Sequence, residues 1–202
     1  MAQRTFLRGG DVTNASVLVR AARKSSGLTQ KDLADRTNVD QGRVSRVEGG
    51  REAEFSTVER FLRGAGYRLY SAPTRRDDAA TIAAAIRGYL RAGDKHSALR
   101  EFIQLSDNLN AEHGLVRGVL GLAEPEPTGD RVWDAALAAL VDLRLREEGL
   151  PTPAWVDGPH RRVQVPRTLD VDPADPIPAP DDVPTEFLER GVLVWQDTLT
   201  SV

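Results

Sequence analysis

Apolar residues recur at helical spacing through the first third of the chain, which predicts a run of short helices. These are Ala15–Ser25, Gln30–Arg36, Gln41–Glu48 and a fourth that begins at Ser56. Polar residues suited to cap the first three are Asn14, Thr29 and Asp40. Glycines expected to end three of the four helices are Gly27, Gly49 with Gly50, and Gly64 with Gly66. The alternating stretch Tyr67–Tyr70 then predicts a short strand.

A second group of helices is predicted after the breaker Pro73. Three apolar stripes at helical spacing occupy residues 78–91, 94–109 and 112–122. A longer helix over 130–148 has apolar residues at i, i+3, i+4, i+7 and i+8, a face wide enough for a bundle core. The residues on that face are Trp133, Ala136, Leu137, Leu140 and Val141.

The last fifty residues have a different composition. Nine of the twelve prolines lie between Pro151 and Pro184, and residues 170–182 hold five acidic residues and no basic one. This composition favours an extended or flexible segment. Apolar content then returns, so that 186–190 predicts a helical turn and 192–195 a strand, and we expect this tail to dock on another surface.

The pattern as a whole predicts a mainly α protein in three regions. Residues 1–74 form a first helical domain, 77–150 a small helical bundle, and 151–202 a Pro-rich, acidic, partly extended segment with a docking tail. The chain has 202 residues, of which 40% are hydrophobic, and this is enough for real cores in one large or two small domains.

The absence of cysteine excludes several classes of protein. Disulfide frameworks, zinc fingers, iron–sulfur clusters and thiol nucleophiles are all ruled out, and a reducing cytoplasm is the expected compartment. Residues 1–14 lack an apolar signal-peptide core, and the chain nowhere holds the ~18 consecutive apolar residues of a membrane span. We therefore expect neither export nor membrane insertion.

Charge is distributed unevenly along the chain. The overall charge is −3, but residues 1–76 hold 15 basic and 8 acidic residues (+7), and residues 77–202 hold 12 and 22 (−10). Attraction to phosphate depends on the sign of the charge and is long-ranged. This asymmetry indicates that the first region meets a polyanion and that the acidic remainder does not.

Residues 29–48 have the spacing of two helices that cross through a tight turn. Leu33 and the small Ala34 face inward, where Ala34 permits close crossing. Asn38 stands where the turn demands positive φ, which asparagine tolerates better than most residues. Val39, Val44 and Val47 are the apolar positions that bury the inner side of the second helix.

These residues resemble the phage-repressor-like (Cro/XRE-type) helix-turn-helix family over residues 15–70. The resemblance is carried by Leu28-Thr29-Gln30, Leu33-Ala34, Asn38-Val39 and Ser45-Arg46-Val47-Glu48-Gly49. It implies a lambda-repressor-like domain that places its recognition helix in the major groove of double-stranded DNA. Two positions depart from the family pattern. Asn38 replaces the usual glycine, and Gly42 lies inside the recognition helix, which it weakens while allowing close approach to DNA.

The resemblance also implies which residues contact DNA. Gln41 and Arg43, near the start of the recognition helix, are the candidates for reading adenine and guanine edges. Thr29 and Gln30 are similar to the family's phosphate anchor. Ser45, Arg46 and Arg51 are placed to add backbone or edge contacts, whereas Glu48 is expected to orient local structure rather than to touch DNA.

Sequence patterns for catalysis are weak. The three histidines, His96, His113 and His160, are too scattered for a metal cluster, and we predict no metal site, no cofactor and no catalytic residue. Arg91 and His96 do fit the loose Arg-x4-His spacing of helical HEPN-type ribonucleases, which remains the enzymatic alternative.

The sequence leaves two roles open for the acidic regions, each typical of one kind of regulator. Proteins of the XRE type with an added domain include antitoxins, which repress their own operon and neutralise a toxin, and stand-alone or ligand-responsive regulators. We favour an antitoxin whose toxin binds through residues 77–202, because that region is acidic and contains a segment suited to folding on binding. The predicted strand 67–70 has an exposed edge, which favours a homodimer. DNA binding would place the protein at the cytoplasmic nucleoid.

Overall fold

The computed structural model of the chain describes residues 14–69, 71–172 and 174–199. The chain divides into two compact units, between Arg68 and Leu69. The division lies ahead of the boundary expected at position 74, and residues 151–199 are part of the second unit. Every regular element among the described residues is a helix, in agreement with the predicted mainly α fold.

The first unit consists of four helices around a small apolar core. They are α1 (Asn14–Ser25), α2 (Gln30–Thr37), α3 (Gln41–Glu48) and α4 (Phe55–Gly64). Each helix supplies at least one fully buried side chain: Val19, Leu33, Val44 and Phe61. One detail differs from the predicted core, because Val39 is only half-buried. The predicted cap Asn14 is the first residue of α1 itself, and its side chain is outside the described structure.

Gly64 allows α4 to cross α2 closely. A Cβ atom at this position would lie 2.4 Å from Cγ2 of Thr37 and 3.1 Å from Cδ1 of Leu33. Gly64 is also the last residue of α4, so it lies at the predicted end of the helix and at the crossing with α2. The chain leaves the helix at Gly66, which has a φ of +86°.

Residues 67–69 do not form the predicted strand. The backbone N–H of Tyr67 donates to the carbonyl of Leu62 at 2.8 Å, which closes the end of α4 and takes Tyr67 out of any strand pairing. In the part of the chain that the structure describes, no neighbouring strand pairs with 67–69. Tyr70 lies outside the described residues. Within one copy of the chain, residues 67–69 therefore form no strand, and pairing with a second copy stays a prediction.

The second unit is built around one buried helix. Its elements are α5 (Ala79–Arg91), α6 (Lys95–Ala111), α7 (Gly114–Leu122), α8 (Arg131–Arg146) and the four-residue α9 (Thr185–Leu188). The predicted apolar face of α8 is buried, from Trp133 to Val141. Ala135, Ala138 and Ala139, on its other sides, are buried as well. A helix surrounded in this way needs a second covering layer.

The Pro-rich segment supplies that layer. It follows α8 as short 3-10 helices (Ala154–Asp157, Pro159–Arg161, Pro180–Asp182 and Gln196–Leu199), α9 and extended stretches. Apolar side chains of residues 155–199 join the core of the second unit: Trp155, Val156, Leu169, Val183, Phe187, Val192, Val194 and Leu199. The predicted strand at 192–195 is reduced to an isolated parallel bridge between Arg167 and Val192. The segment is partly extended, as predicted, and it packs on α8.

Buried arginines tie the Pro-rich segment to the bundle. Arg190 donates to Asp142 of α8 at 2.8 Å, and both side chains are about 1% exposed. Arg144 donates from Nη2 to Oγ of Ser106 at 2.7 Å and to the carbonyl of Leu199. Arg161 is fully buried with its guanidinium 5.0 Å from the ring centre of Trp155, and this burial lowers its pKa. The contacts of Arg190 and Arg144 join residues far apart in sequence, which no sequence periodicity could predict.

Candidate nucleic-acid interface

Residues 29–48 fold as two short helices joined by a tight turn. Asn38 ends α2 in the left-handed conformation, with φ 53° and ψ 53°, and its backbone N–H donates to the last carbonyls of that helix. Asparagine adopts this conformation more readily than most non-glycine residues. The turn predicted from the sequence is therefore confirmed, and Asn38 is its residue of positive φ, as expected.

A capping box fixes the start of α2. The Oγ1 atom of Thr29 accepts from the backbone N–H of Asp32 at 3.1 Å, and the Asp32 carboxylate accepts from the Thr29 N–H at 2.8 Å. The Thr29 hydroxyl also donates to Asp32 at 2.7 Å. These hydrogen bonds from the side chain and the backbone of Thr29 lower the pKa of Asp32.

Asp40 caps α3 and limits what can stand at position 42. Its carboxylate accepts from the N–H of Arg43 at 2.9 Å and lies 3.7 Å from the guanidinium of Arg46. A Cβ atom at Gly42 would lie 2.9 Å from Oδ1 of Asp40. The glycine therefore leaves room for the cap carboxylate, a role that the sequence did not indicate.

Glu48 anchors the inner face of α3. It is 2% exposed, and its carboxylate pairs with the guanidinium of Arg23 at 2.6 and 2.9 Å. The Nε2 atom of Gln30 donates to the same carboxylate at 2.9 Å, and Arg20 donates to the Glu48 carbonyl. Arg23 also donates to the carbonyl of Leu28 at 2.7 Å. Helices α1, α2 and α3 thus meet at one buried carboxylate.

This network confirms the local structural role predicted for Glu48 and identifies residues that the sequence reasoning left out. Arg23 is 8% exposed and so belongs to the interior of the domain. Its position four residues after the buried Val19 and one after Ala22 places it on the inner face of α1. In the sequence, the signal for this pair is an arginine on the apolar face of one helix and a glutamate beside the apolar residues of another.

The opposite face of α3 is exposed and polar. Gln41, Ser45 and Arg46 are all exposed, and Val44, Val47 and Glu48 are buried behind them. The Arg43 side chain is exposed as well, and its Nη2 donates to Oγ1 of Thr57 on α4 at 3.2 Å. These are the predicted base-reading and backbone-contacting residues, and the structure brings all four to one helix beside α4.

The other three candidates lie at the two ends of the motif. Thr29 is exposed but engaged in the capping box, and Gln30 is half-buried with its amide on Glu48. Arg51 is exposed just after α3, where its backbone N–H donates to the carbonyl of Arg46 at 2.9 Å. Polar backbone and side-chain groups at the start of α2 and the end of α3 therefore flank the exposed face.

The residues with catalytic spacing are not assembled into an enclosed site. Arg91 ends α5 and His96 is the second residue of α6, and both side chains are exposed. Among the described residues, no group of three or more potential ligands is arranged to hold a metal ion. No helix within the described ranges combines the length and the apolar composition of a membrane span.

Comparison with known families gives one match. The model of a family described as a helix-turn-helix domain matches residues 16–76, the region that holds the capped helices and the buried carboxylate. Comparisons with the curated proteins and with the solved structures give no match. The N-terminal region is therefore a helix-turn-helix domain, consistent with the XRE-like class, and such a domain indicates a DNA-binding regulator.

Proposed function

We propose that the protein is a sequence-specific transcriptional repressor that binds double-stranded DNA through the major groove. The observation that carries this proposal is the polar outer face of α3, held outward by the buried pairing of Glu48 with Arg23. The N-terminal residues of a recognition helix reach the base edges only when that helix is held at a fixed angle to the helix before it. The excess of basic residues in 1–76 adds the sequence-independent attraction to phosphate.

In this proposal, Gln41 and Arg43 read bases, and the remaining candidates position the domain. Arg43 must exchange its partly buried hydrogen bond with Thr57 for a guanine edge, so one hydrogen bond is given up and others are gained. Arg46 likewise leaves an exposed ion pair of low strength. Thr29, Gln30, Ser45 and Arg51 contact the DNA backbone. The protein acts as a homodimer at the nucleoid, with each copy reading one half-site.

Selection of duplexes from a random pool tests the DNA-binding proposal. Full-length protein should enrich a two-fold symmetric sequence, and Arg43→Ala should lose preference at one base pair of each half-site, at a cost of about 1–3 kcal/mol. Arg60→Ala removes an equal charge from an exposed position on α4 and should leave the enriched sequence unchanged. If Arg43→Ala enriched the same DNA sequence as the wild type, α3 would not be the helix that reads the bases.

We further propose that the protein is an antitoxin, which represses its own operon and neutralises a toxin through residues 77–202. Two features support this: the balance of −10 in that region, and the acidic Pro-rich segment laid over α8. An acidic surface suits a partner with a cleft that handles nucleic acid. Nothing in this role requires a cofactor or a metal.

Purification of the tagged full-length protein from its native cells distinguishes the antitoxin from the alternative functions. Recovery of its own promoter together with a stoichiometric protein from the adjacent gene supports the antitoxin. Recovery of scattered promoters without a protein partner supports the alternative, a stand-alone or ligand-responsive regulator. RNA cleavage by the pure protein that disappears in His96→Ala would instead support the remote alternative, a HEPN-like ribonuclease.

A further inference from the structure

Asp40 places an exposed carboxylate at the start of α3. Its side chain is 67% exposed, although it caps the helix by accepting from the backbone N–H of Arg43 at 2.9 Å. This hydrogen bond fixes the position of the carboxylate relative to the helix. The N-terminal residues of a recognition helix are the ones that reach base edges. A fixed hydrogen-bond acceptor therefore lies at the end of α3 that the proposed function directs towards DNA.

Only one of the two carboxylate oxygens of Asp40 is engaged. Oδ1 accepts from Arg43 and lies 3.7 Å from Nη2 of Arg46. Among the residues that the structure describes, Oδ2 has no hydrogen-bond partner. The neighbouring Gly42 leaves the group uncovered, because a Cβ atom there would lie 2.9 Å from Oδ1. The second oxygen is therefore available to a donor from outside the protein.

A carboxylate only accepts hydrogen bonds, and this limits the bases that it can read. In the major groove, amino groups are presented by cytosine at N4 and by adenine at N6. Adenine also presents the acceptor N7 beside its amino group, and an acceptor repels a carboxylate. Guanine presents two acceptors, and thymine presents an acceptor and a methyl group. Cytosine is therefore the base that suits a single carboxylate oxygen best.

We propose that Asp40 is a further specificity-determining residue, whose Oδ2 accepts a hydrogen bond from the N4 amino group of a cytosine. This inference rests on the proposed function and extends it. In that function Arg46 turns from Asp40 to the DNA, so the carboxylate loses its neighbouring positive charge. A cytosine amino group then supplies a new partner. At any other base the carboxylate lies unpaired close to the phosphates, which penalises the wrong sequence.

Asp40→Asn separates base reading from helix capping. Asparagine caps a helix about as well as aspartate, because its Oδ1 can still accept from the Arg43 N–H. Its second group is an amide NH₂, which donates where Oδ2 accepts. In selection from a random pool, the full-length wild type should enrich a cytosine at one base pair of each half-site. Asp40→Asn should instead prefer a base with an acceptor at that position.

Asp35→Asn is the matched control for this substitution. Asp35 is exposed on α2, and its replacement removes the same charge without changing the cap of α3. This variant should enrich the wild-type sequence. A preference that changes only in Asp40→Asn therefore reports the hydrogen bond and not the loss of one negative charge.

Modified DNA tests the same contact without altering the protein. N4-methylcytosine still pairs with guanine, but a methyl group replaces the amino hydrogen that faces the major groove. At the cytosine read by Asp40, this base should weaken binding of the wild type about tenfold. The same duplex should bind Asp40→Asn with nearly the affinity of the unmethylated one. Methylation of a cytosine outside the selected site should leave both proteins unaffected.

The possible results distinguish this inference from the function on which it rests. If the wild type enriches a sequence and Asp40→Asn enriches the same one, Asp40 only caps the helix, and α3 remains the reading helix. Equal losses of the two proteins on methylated DNA would also overturn the inference. A wild type that enriches no sequence would overturn both the inference and the proposed function. If Asp40→Asn fails to fold, each cytosine of the selected half-site is methylated in turn, and no loss of wild-type affinity at any of them overturns the inference.

Discussion

At the scale of the residue, Glu48 determines how the outer face of α3 is presented. Its carboxylate receives the guanidinium of Arg23 from α1 and the amide of Gln30 from α2. A buried ion pair contributes little net stability, but removing one partner leaves the other charge buried and unpaired. Glu48 therefore acts on DNA recognition through geometry, without itself contacting the DNA.

Glu48→Ala should lower the free energy of opening of the α3 amides by about 3–5 kcal/mol, because Arg23 loses its carboxylate in a buried site. Native-state hydrogen exchange on the full-length protein measures this. Glu59→Ala breaks the exposed pair with Arg63 on α4 and should change the same amides by about 0.5 kcal/mol or less. Equal effects of the two substitutions would contradict the anchoring role.

Sequence reasoning identified the residues on the outer face of α3 and missed the partners of its inner face. Spacing alone separates Gln41 and Ser45 from Val44 and Val47, since helix geometry fixes which positions share a face. The pairing of Glu48 with Arg23 joins residues 25 positions apart, and local periodicity carries no information about such a contact.

At the scale of the element, the crossing of α2 and α4 depends on the missing side chain at Gly64. Thr37 and Leu33 of α2 occupy the space that a side chain at Gly64 would need. This crossing carries α4 and its residue Thr57, which receives the Arg43 hydrogen bond in the absence of DNA. The packing of α4 on α2 therefore helps to position Thr57 beside the exposed face of α3.

Gly64→Ala should destabilise the first unit by about 1–3 kcal/mol, because the added methyl group overpacks the crossing. Gly88→Ala, on α5, should instead stabilise the protein by about 0.5–1 kcal/mol, since its side chain enters open space and alanine favours the helix. Chemical denaturation of both variants measures the two signs. Stabilisation by Gly64→Ala would show that the crossing is loose.

A pH dependence is expected from the capping box of α2. Hydrogen bonds from Thr29 lower the pKa of Asp32 below its usual 3.8. Its contribution to stability is therefore present above pH 3.8 and is lost as the pH falls towards the lower folded value. The difference in thermal midpoint between the wild type and Asp32→Asn should shrink as the pH is lowered through this range. Asp35→Asn, which leaves the cap intact, is the matched control.

The helices were predictable to within a few residues, and the covering segment was not. Caps such as Asp40 and the 3.6-residue period identify α2 and α3 from local sequence alone. The apolar residues of 151–199 follow no period, because prolines break the backbone into short pieces. Their burial on α8 depends on long-range contacts such as Arg190 with Asp142.

At the scale of the whole molecule, residues 1–76 and residues 77–202 differ in charge and in the function proposed for them. The basic residues are concentrated in 1–76 and the acidic residues in 77–202. Phosphate binding by the first region should release counterions from DNA, and this makes affinity depend on salt. The acidic remainder opposes non-specific contact with DNA, which favours discrimination between sites.

Salt dependence separates the residues that contact phosphate from those that read bases. Arg51→Ala should weaken specific and non-specific binding alike and reduce the slope of log affinity against log salt by about one. Gln41→Ala, an uncharged change at the start of α3, should weaken specific binding and leave the slope unchanged. Fluorescence anisotropy across a salt series gives both quantities. A slope that changes equally in the two variants would contradict the assigned roles.

The most direct test of the account is the affinity of the full-length protein for its selected duplex and for a shuffled duplex of equal composition, at one salt concentration. Specific binding should exceed non-specific binding by about a thousandfold or more, and Arg43→Ala should reduce that ratio. Equal affinity of the wild type for the two duplexes would contradict the claim that α3 reads DNA sequence.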